Sequence, residues 1–413
     1  MVCGLRTGRH LGLALSRTAE TSLQTSTALI TMEPRLGGAV SGADIPPVDY
    51  LDWYIPRLGE HRPHDLSQSG YAHPWDFSEL LGSIDDADLG GFWSTGQDPR
   101  EWVASRHGVT VSNVCIGHGV SQALTLAILA SLQAGGPRVV GVEMPSYAPV
   151  SQCARLLGCE VVEFHRVPND GAWVLNRESL EDILPSVGAI VLTPMHNPSG
   201  WMLTEADEDW LVETTRDAGV NVVSDEVYLD AAIGTGFYRP LFERGDHIIT
   251  VNSLTKCYGL GGLRFGWLIG APEPIQNASD AFLNLQGQGS APSMALAGAA
   301  WPHLDAALAR LNENRSINLP LLKETLAAHG IDFVPPPTGI FGLIRIGMDS
   351  VQAMAEHGKP LGLLASPGSM FDVSLKNHLR IAWGGDPVAF AEAMPVLGAF
   401  LTRIQESNAS STD

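Results

Sequence analysis

Short apolar runs rich in β-branched residues alternate with helical stretches from residue 111 to residue 225, and this alternation constrains the fold more than any other feature. The strand-like runs are Val111–Ile116, Val139–Val142, Val161–Phe164, Ala189–Leu192 and Val220–Val223. Helical stretches between them include Val120–Gln133 and Thr204–Ala218. This order predicts an α/β fold whose mostly parallel sheet carries helices on both faces. Two further β-like runs, His247–Val251 and Leu263–Ile269, are expected to join the same sheet.

The C-terminal part of the chain has a different pattern. Its predicted elements are helices at Ala291–Ala309 and Leu311–His329, strands at Ile331–Val334, Ile340–Ile346 and Leu379–Ala382, and a helix at Pro387–Gln405. Because these helices and strands do not alternate regularly, we expect a separate, smaller α+β unit.

The composition limits the partners that the chain can have. Its 413 residues, 45% of them hydrophobic, are enough for two domains. The formal net charge of −20 argues against nucleic acid or an anionic membrane surface, because phosphate binding needs clustered Lys and Arg. No apolar run reaches the roughly 18 residues of a membrane span. The five cysteines lack the spacing of metal ligands, which predicts no metal site and a cytoplasmic protein.

The first 31 residues differ in composition from the rest. They contain Arg6, Arg9, Arg17 and many Ser and Thr residues, but Glu20 is their only acid. A flexible tail, a start upstream of the true one at Met32, and a transit peptide all fit this composition. We expect a flexible tail.

Lys256 stands in a turn between two predicted buried strands, in the run NSLTKCYGLGGLRFGWLIG. Lysine is seldom buried unless it is paired or takes part in chemistry. A desolvated lysine loses its proton readily and becomes the amine that forms Schiff bases. Arg264, eight residues on, keeps its charge and suits bidentate phosphate binding. A loop lysine in water is the alternative, so the interpretation depends on the other strand ends.

Ligands of a doubly wound sheet gather beyond the carboxyl ends of its strands. The candidate residues at these ends are Gly119, Val120, Ser121, Tyr147, Asn197, Asp225, Tyr228 and Ser253, with Arg380 on a strand of the smaller unit. They supply a helix N-terminus for an anion, an aromatic ring for stacking, and a carboxylate that needs a cation. Together with Lys256 this is the set of groups that pyridoxal phosphate requires.

Four segments resemble a known family, the fold-type I pyridoxal-phosphate enzymes of the class I/II aminotransferase family. SLTKCYGLGGLRFGW is similar to the family's lysine motif, and HNPSG and SDEVY match its asparagine and aspartate motifs in order and spacing. ASPGSMF at Ala365–Phe371, followed by LRIAWG, is similar to its C-terminal part. The resemblance covers roughly residues 64–401. It implies a mostly parallel seven-stranded sheet in a large domain, a smaller α+β domain, and a homodimer with the active site at the interface.

The resemblance also divides the chain. It implies a flexible N-terminal tail at residues 1–31 and the N-terminal part of the small domain at residues 32–75. The large domain that binds pyridoxal phosphate would follow at residues 76–300. Residues 301–413 would complete the small domain.

The family's motifs assign catalytic roles by position. Lys256 would form a Schiff base with the cofactor and then move the Cα proton of the substrate. Asp225 would keep the pyridine nitrogen protonated, and Tyr147 would stack on the ring. Asn197 and Tyr228 would hydrogen-bond the ring oxygen.

The motifs also assign the phosphate and carboxylate sites. The residues expected to hold the phosphate are Gly119, Val120, Ser121, Ser253 and Arg264. Arg380, with Asn197, would hold the α-carboxylate of the substrate. Because this leaves the Cα–H bond to break, decarboxylation is not the first expectation.

One N-terminal segment departs from the family pattern. The family has Leu-Ser-x-Gly-x-Pro where this chain has LSQSGY at Leu66–Tyr71, and we assign Ser69 and Gly70 to the substrate pocket. The tyrosine that family members donate to the partner's phosphate has no match, since Phe92 and Trp93 lie near its place. The Ser-x-Ser-Gly pattern is similar to capreomycidine-synthase-like enzymes, which eliminate and cyclise an arginine derivative.

The resemblance thus implies an enzyme that acts on an α-amino acid by transamination. The alternative is β/γ-elimination, replacement or cyclisation in specialised metabolism. Both reactions begin with removal of the Cα proton by the lysine.

Overall fold

The computed structural model describes residues 47–84, 98–133 and 135–410 of the chain. The predictions for residues 1–31 and for Phe92 and Trp93 lie outside these ranges. The predicted division into a large and a small domain stays a prediction.

The central element is an eight-stranded sheet with the strand order β2-β9-β8-β7-β6-β3-β4-β5. Its strands are β2 (Val114–His118), β3 (Val139–Met144), β4 (Glu160–Asn169), β5 (Ala172–Leu175), β6 (Ala189–Leu192), β7 (Asn221–Asp225), β8 (Ile248–Ser253) and β9 (Phe265–Ile269). Strands β4, β3, β6, β7 and β8 run parallel to their neighbours in this series, whereas β9 runs antiparallel to both β8 and β2. The expected α/β fold with a mostly parallel sheet is confirmed.

Both faces of the sheet are buried, which explains the continuous apolar runs in the sequence. Successive side chains on a strand point to opposite faces. Val223 therefore packs in one apolar cluster with Leu124 on one face of the sheet, whereas its neighbour Val222 packs in another with Leu211 and Leu180 on the opposite face. Neighbouring side chains of β6 and β8 likewise belong to different apolar clusters on opposite faces of the sheet.

Helices cover the sheet and continue into the C-terminal part. The helices in the described residues are α1 (Asp49–Tyr54), α2 (Phe77–Gly82), α3 (Pro99–His107), α4 (Gly119–Ser131), α5 (Pro149–Leu156), α6 (Arg177–Ile183), α7 (Glu205–Ala218), α8 (Pro272–Gln286), α9 (Ala291–Ala300), α10 (Leu304–Ala328), α11 (Ser350–Ala353) and α12 (Pro387–Ser410). Side-chain caps fix the N-termini of several helices. Thr204 accepts a hydrogen bond from the backbone N–H of Asp207 at the start of α7, and Ser290 accepts one from the backbone N–H of Ser293 at the start of α9.

Two smaller sheets involve the C-terminal part. β10 (Phe341–Arg345), β13 (His378–Ala382) and β12 (Ser366–Pro367) form an antiparallel sheet in the order β10-β13-β12. β1 (His64–Asp65) pairs in parallel with β11 (Leu363–Leu364), which joins the N-terminal segment to this region. Leu66 follows directly and accepts a backbone hydrogen bond from Ala382 at 2.8 Å.

Strand direction places the predicted site residues on one edge of the main sheet. Strands β2, β3, β6, β7 and β8 all end at this edge, and the turns after them carry the predicted residues. Because β9 is antiparallel, its first residue lies at the same edge, with Phe265 opposite His118. Arg264, which precedes β9, therefore lies beside the start of α4.

Three sequence predictions need correction. The main sheet has eight strands rather than seven, because Ala172–Leu175 folds back on the end of β4 as a hairpin. Residues 331–334 form no strand, since the three prolines that follow, Pro335 to Pro337, lack the N–H groups of a ladder. The predicted helix 291–309 is divided at Trp301–His303, where Pro302 interrupts it, and its second half continues into α10.

The C-terminal helix α12 contains a window with a mean hydropathy of 1.3, so its length and composition alone would suit a membrane span. In the structure, 44% of that window is buried inside the protein. Leu397, Phe400 and Ile404 pack in one cluster with Leu322 and Leu326 of α10. The apolar residues of α12 therefore belong to a core helix.

Gly200 and Gly219 provide a matched pair for testing the packing behind the site. Both have left-handed backbones, with φ of +77° and +68°. An added Cβ at Gly200 would overlap the carbonyl oxygen of Phe341 on β10, whereas at Gly219 nothing lies within 4 Å. We expect Gly219→Ala to lower the free energy of unfolding by about 1 kcal/mol, because alanine is strained in this backbone conformation. Gly200→Ala should lower the free energy of unfolding by roughly 1–3 kcal/mol more than Gly219→Ala, because its Cβ also overlaps β10. Urea unfolding measures both values, and equal losses would contradict this packing.

Candidate active site

Lys256 follows β8 and lies under the N-terminal segment. The backbone N–H of Tyr71 donates to the carbonyl of Lys256 at 2.7 Å, which holds residues 69–71 across the lysine. The Lys256 Nζ lies 3.5 Å from Ser69 Oγ and 6.0 Å from the centroid of the Tyr228 ring. The segment runs close beside the lysine at Gly70, where an added Cβ would lie in van der Waals contact with Lys256 Cδ at 3.5 Å.

The surroundings favour the neutral form of the Lys256 amine. Burial is the main cause that lowers its pKa, and the positive charges of Arg380 and Arg264 add to this effect. Tyr50 and Asp225 act in the opposite direction. Among the described residues no carboxylate forms an ion pair with Lys256, so the amine is available as a nucleophile or base.

Asp225 is the carboxylate of the site. It is buried at the end of β7, where its Oδ1 accepts from the backbone N–H of Val227 at 3.1 Å. Burial raises its pKa to about 6. In the described part of the chain no Arg or Lys forms an ion pair with it, although the charge of Lys256 opposes the rise. A buried carboxylate of this kind fits the protonated ring nitrogen of the predicted cofactor.

The residues predicted to contact the cofactor ring, through its oxygen or by stacking, lie near Lys256 and Arg380. Tyr228 is buried, its hydroxyl lies 2.7 Å from Ser69 Oγ, and burial raises its pKa. Asn197 is buried too, and its Oδ1 accepts from Arg380 Nη1 at 2.8 Å. Tyr147 is partly buried, and its ring packs edge-on against Tyr50 at a centroid distance of 5.8 Å.

The predicted phosphate site is an open cradle at the start of α4. Gly119 has φ of +73°, a conformation that favours glycine, and a Cβ there would lie 2.8 Å from the Arg264 Cζ, so a side chain at this position would displace the guanidinium. Arg264 is exposed and donates to the carbonyls of His118 and Gly261 at 3.4 Å. The free N–H groups at the start of α4 and this guanidinium fit a phosphate group.

The remaining phosphate candidates occupy different positions around this cradle. Val120 is partly buried and Ser121 exposed in the first turn of α4. Ser253 is fully buried at the end of β8, and its Oγ accepts from the backbone N–H of Thr255 at 3.3 Å.

Arg380 is a buried cation surrounded by neutral partners. Its Nη2 donates to the Ser67 carbonyl at 2.8 Å, to Ser366 Oγ at 3.1 Å and to the Tyr50 hydroxyl at 3.3 Å. Its Nε is buried without a hydrogen-bond partner in the described residues. The guanidinium carbon lies 4.8–5.6 Å from the ring centroids of Phe371, Phe341 and Tyr50.

Several of these contacts were missed by the sequence analysis. Ser366 and Phe371 lie in ASPGSMF, a motif that signals the family but assigned no role to either residue. Tyr50 and Phe341 carry no sequence signal, because their approach to Arg380 depends on how distant segments pack.

A buried polar network behind the site was missed as well. His196 is buried, and burial lowers its pKa to about 4, so the ring is neutral. Its Nε2 donates to the carbonyl of Pro145 at 2.8 Å, and its Nδ1 accepts from Ser199 Oγ at 2.7 Å. This contact ties the turn that carries Asn197 to the turn that carries Tyr147.

The sequence from residue 95 to residue 397 matches the family model described as "Aminotransferase class I and II". Valine–pyruvate aminotransferase of Mycobacterium tuberculosis is 28% identical over 72% of this chain and 78% of that protein. Aspartate aminotransferase of Thermococcus kodakarensis is 26% identical over 80% of this chain and 88% of that protein. The solved structure of N-succinyldiaminopimelate aminotransferase from Mycobacterium tuberculosis superposes with a TM-score of 0.73 at 23% identity, covering 86% of this chain and 96% of that one.

Glu226, next to Asp225, offers a test of the electrostatics of the fold. Its carboxylate is buried and accepts from the backbone N–H of Leu241 at 2.8 Å and from Ser224 Oγ at 3.2 Å. Burial raises its pKa from 4.5 to about 8. The folded protein therefore keeps a proton that the unfolded chain has released. The stability that this proton contributes is fully present below about pH 4.5 and is lost as the pH rises to about 8.

Glu226→Gln stays neutral at every pH, so it should raise the melting temperature most near pH 8, with a gain that shrinks towards about pH 5. Thermal unfolding of the cofactor-free protein across this range measures the effect. The exposed Glu213→Gln serves as the control and should give no pH-dependent gain. A gain for Glu226→Gln that is the same at every pH would contradict the assignment.

Proposed function

We propose, from the premise that the chain belongs to the aminotransferase class I and II family, that it transfers the amino group of an α-amino acid to a 2-oxo acid. As a member, the chain is an enzyme of the aminotransferase family, and its cofactor is pyridoxal 5′-phosphate. The fold-type I architecture follows from the same match and from the structural neighbours.

The observation that carries the proposal is the burial of the Arg380 guanidinium among neutral groups. This guanidinium is 2% exposed, and in the described residues no carboxylate pairs with it. A buried charge without a partner of opposite sign is costly, so the site is suited to an anion that binds from outside. Lys256 lies close enough for Arg380 to lower its pKa. An α-amino acid presents a carboxylate and an adjacent Cα proton, which these two groups can bind and remove.

The other residues have roles that follow from their surroundings. When bound, pyridoxal phosphate supplies an aldehyde for the amino group and a pyridinium ring that withdraws electrons from Cα. Asp225 provides the negative charge for the ring nitrogen. Lys256 takes the Cα proton on Nζ, and Ser69 at 3.5 Å holds that amine near Tyr228. Arg264 and the start of α4 bind the phosphate.

Amino transfer and the alternative reaction leave different products. We would incubate the purified enzyme with an amino donor, with and without a 2-oxo acid. With the donor alone, amino transfer leaves the cofactor in its amine form, seen by absorbance. When the 2-oxo acid is added, the amino group passes to it, a new amino acid forms and the aldehyde form returns. Ammonia or a cyclised product formed without an acceptor would support elimination or cyclisation instead.

We also propose a cytoplasmic homodimer with the active site at the interface. Large apolar side chains are exposed on two helices: Leu283 and Leu285, 48% and 63% exposed, on α8, and Phe77 and Leu81, 46% and 50% exposed, on α2. Exposed apolar groups of this size are typical of association surfaces. The exposed guanidinium of Arg264 is consistent with a phosphate site that lies near such a surface.

We predict that Lys256→Ala abolishes turnover and the borohydride-dependent fixation of the cofactor, because the alanine has no amine to bond the aldehyde. Mass spectrometry of the reduced protein measures the fixation. The exposed Lys323→Ala serves as the control and should keep both properties. Fixation at the wild-type yield in Lys256→Ala would show that another lysine bonds the cofactor.

We predict that Arg380→Ala raises the KM for the amino acid at least about tenfold, because a charge-assisted bidentate contact is lost. The absorbance of the resting cofactor should change little. Arg345→Ala, an exposed arginine on the neighbouring strand β10, should leave KM unchanged. If Arg380→Ala loses cofactor and substrate binding equally, the residue belongs to the phosphate site.

The dimer is tested by light scattering, where we expect twice the chain mass of 44.1 kDa. Replacing both Leu283 and Leu285 with Glu should shift the protein to monomer, because charge would be buried at the interface. Val388→Glu changes an apolar residue on α12 that is 70% exposed, and it should leave the dimer intact. A wild-type mass of one chain would refute the proposal.

A further inference from the structure

An aromatic and apolar cluster lies against Arg380 on the side of Tyr147. Its buried members are Tyr50, Phe371 and Leu375, and Tyr54, Tyr147, Trp173, Leu343 and Met370 pack on them. We call this set the aromatic wall. Tyr50 is its centre, since its ring packs within 5.8 Å of the rings of Tyr54, Tyr147 and Phe371.

The aromatic wall borders the site from two directions. The Tyr50 hydroxyl lies 3.3 Å from Arg380 Nη2, and Tyr50 is near enough to Lys256 to raise the pKa of that amine, so it lies near both groups. Leu343 of β10 lies directly opposite Arg380 in the sheet register. A substrate held at Arg380 with its Cα near Lys256 therefore has to direct its side chain along a surface bounded by these residues.

The charges around the aromatic wall select against charged side chains. Both cation–π contacts that the described part of the wall makes come from Arg380, which the α-carboxylate would already occupy. A second carboxylate would thus lie on rings without a cation of its own, at a high desolvation cost. A cationic side chain would enter beside the buried guanidinium of Arg380, which repels it.

We propose that the enzyme selects α-amino acids with neutral apolar or aromatic side chains, and that Tyr50 and Phe371 are its specificity-determining residues. The proposal rests on the proposed function, because it concerns the side chain of the same substrate. Aromatic side chains fit best, since they can pack edge-on or offset against these rings.

The wild-type holoenzyme provides the first test. Phenylalanine, leucine, aspartate, glutamate and arginine are offered as amino donors, and the half-reaction is followed by the cofactor absorbance. We expect kcat/KM for phenylalanine and leucine to exceed that for aspartate, glutamate and arginine at least about 100-fold, since a buried charge without a partner is rejected strongly. A higher value for aspartate, glutamate or arginine overturns the proposal. No conversion of any donor overturns the proposed function itself.

Variants of the aromatic wall provide the second test. Phe371→Ala should lower kcat/KM for phenylalanine at least about tenfold relative to alanine as donor, mainly through KM. Phe371→Leu, which keeps an apolar side chain, should recover part of the loss, and it replaces the alanine variant if that one does not fold. Tyr50→Phe keeps the ring and should keep the preference. Phe237→Ala removes a phenylalanine outside the wall and should not change the ratio. An unchanged ratio in folded, cofactor-loaded Phe371 variants overturns the assignment.

Discussion

The site depends on a lysine amine that is held out of water beside two arginines. Burial and these positive charges all disfavour the protonated form of Lys256. In the proposed function, the same arginines attract the two anionic groups that the reaction brings, a phosphate at Arg264 and a carboxylate at Arg380. One arrangement of charge would therefore prepare the nucleophile and position its partners, while the buried carboxylate of Asp225 opposes the fall in the pKa of the lysine.

Sheet topology makes this arrangement possible. Parallel strands deliver Tyr147, Asn197, Asp225 and Lys256 to one edge, because each residue lies at the end of its strand or soon after it. The reversed strand β9 adds Arg264 to that edge from its amino end. Had β9 run parallel, Arg264 would lie at the far edge of the sheet, away from the start of α4. The left-handed backbone of Arg264, with φ of +52°, marks the turn that achieves the reversal.

Local signals account for what could be predicted from the sequence. The buried strands are short apolar runs, and Lys256, Asp225, Asn197 and Arg264 stand in motifs that lie close to strand ends, so the fold class and this set of residues were predictable. Tyr50 and Phe341 were not, because their contacts with Arg380 join segments separated by hundreds of residues or by several elements. The false strand at residues 331–334 shows the limit of an apolar pattern when prolines follow it.

Two buried arginines in this molecule show how structure and function can be told apart. Arg166 and Arg380 are both about fully buried, and each has one nitrogen without a hydrogen-bond partner in the described residues. An unpartnered nitrogen alone therefore does not mark a binding site. The difference is the charge partner: Arg166 donates to Glu143 at 2.6 Å, and Glu143 is itself held by Thr193, so this charge is balanced within the fold. Arg380 contacts only neutral oxygens and rings among the described residues, so a bound anion is the partner that we propose for its charge.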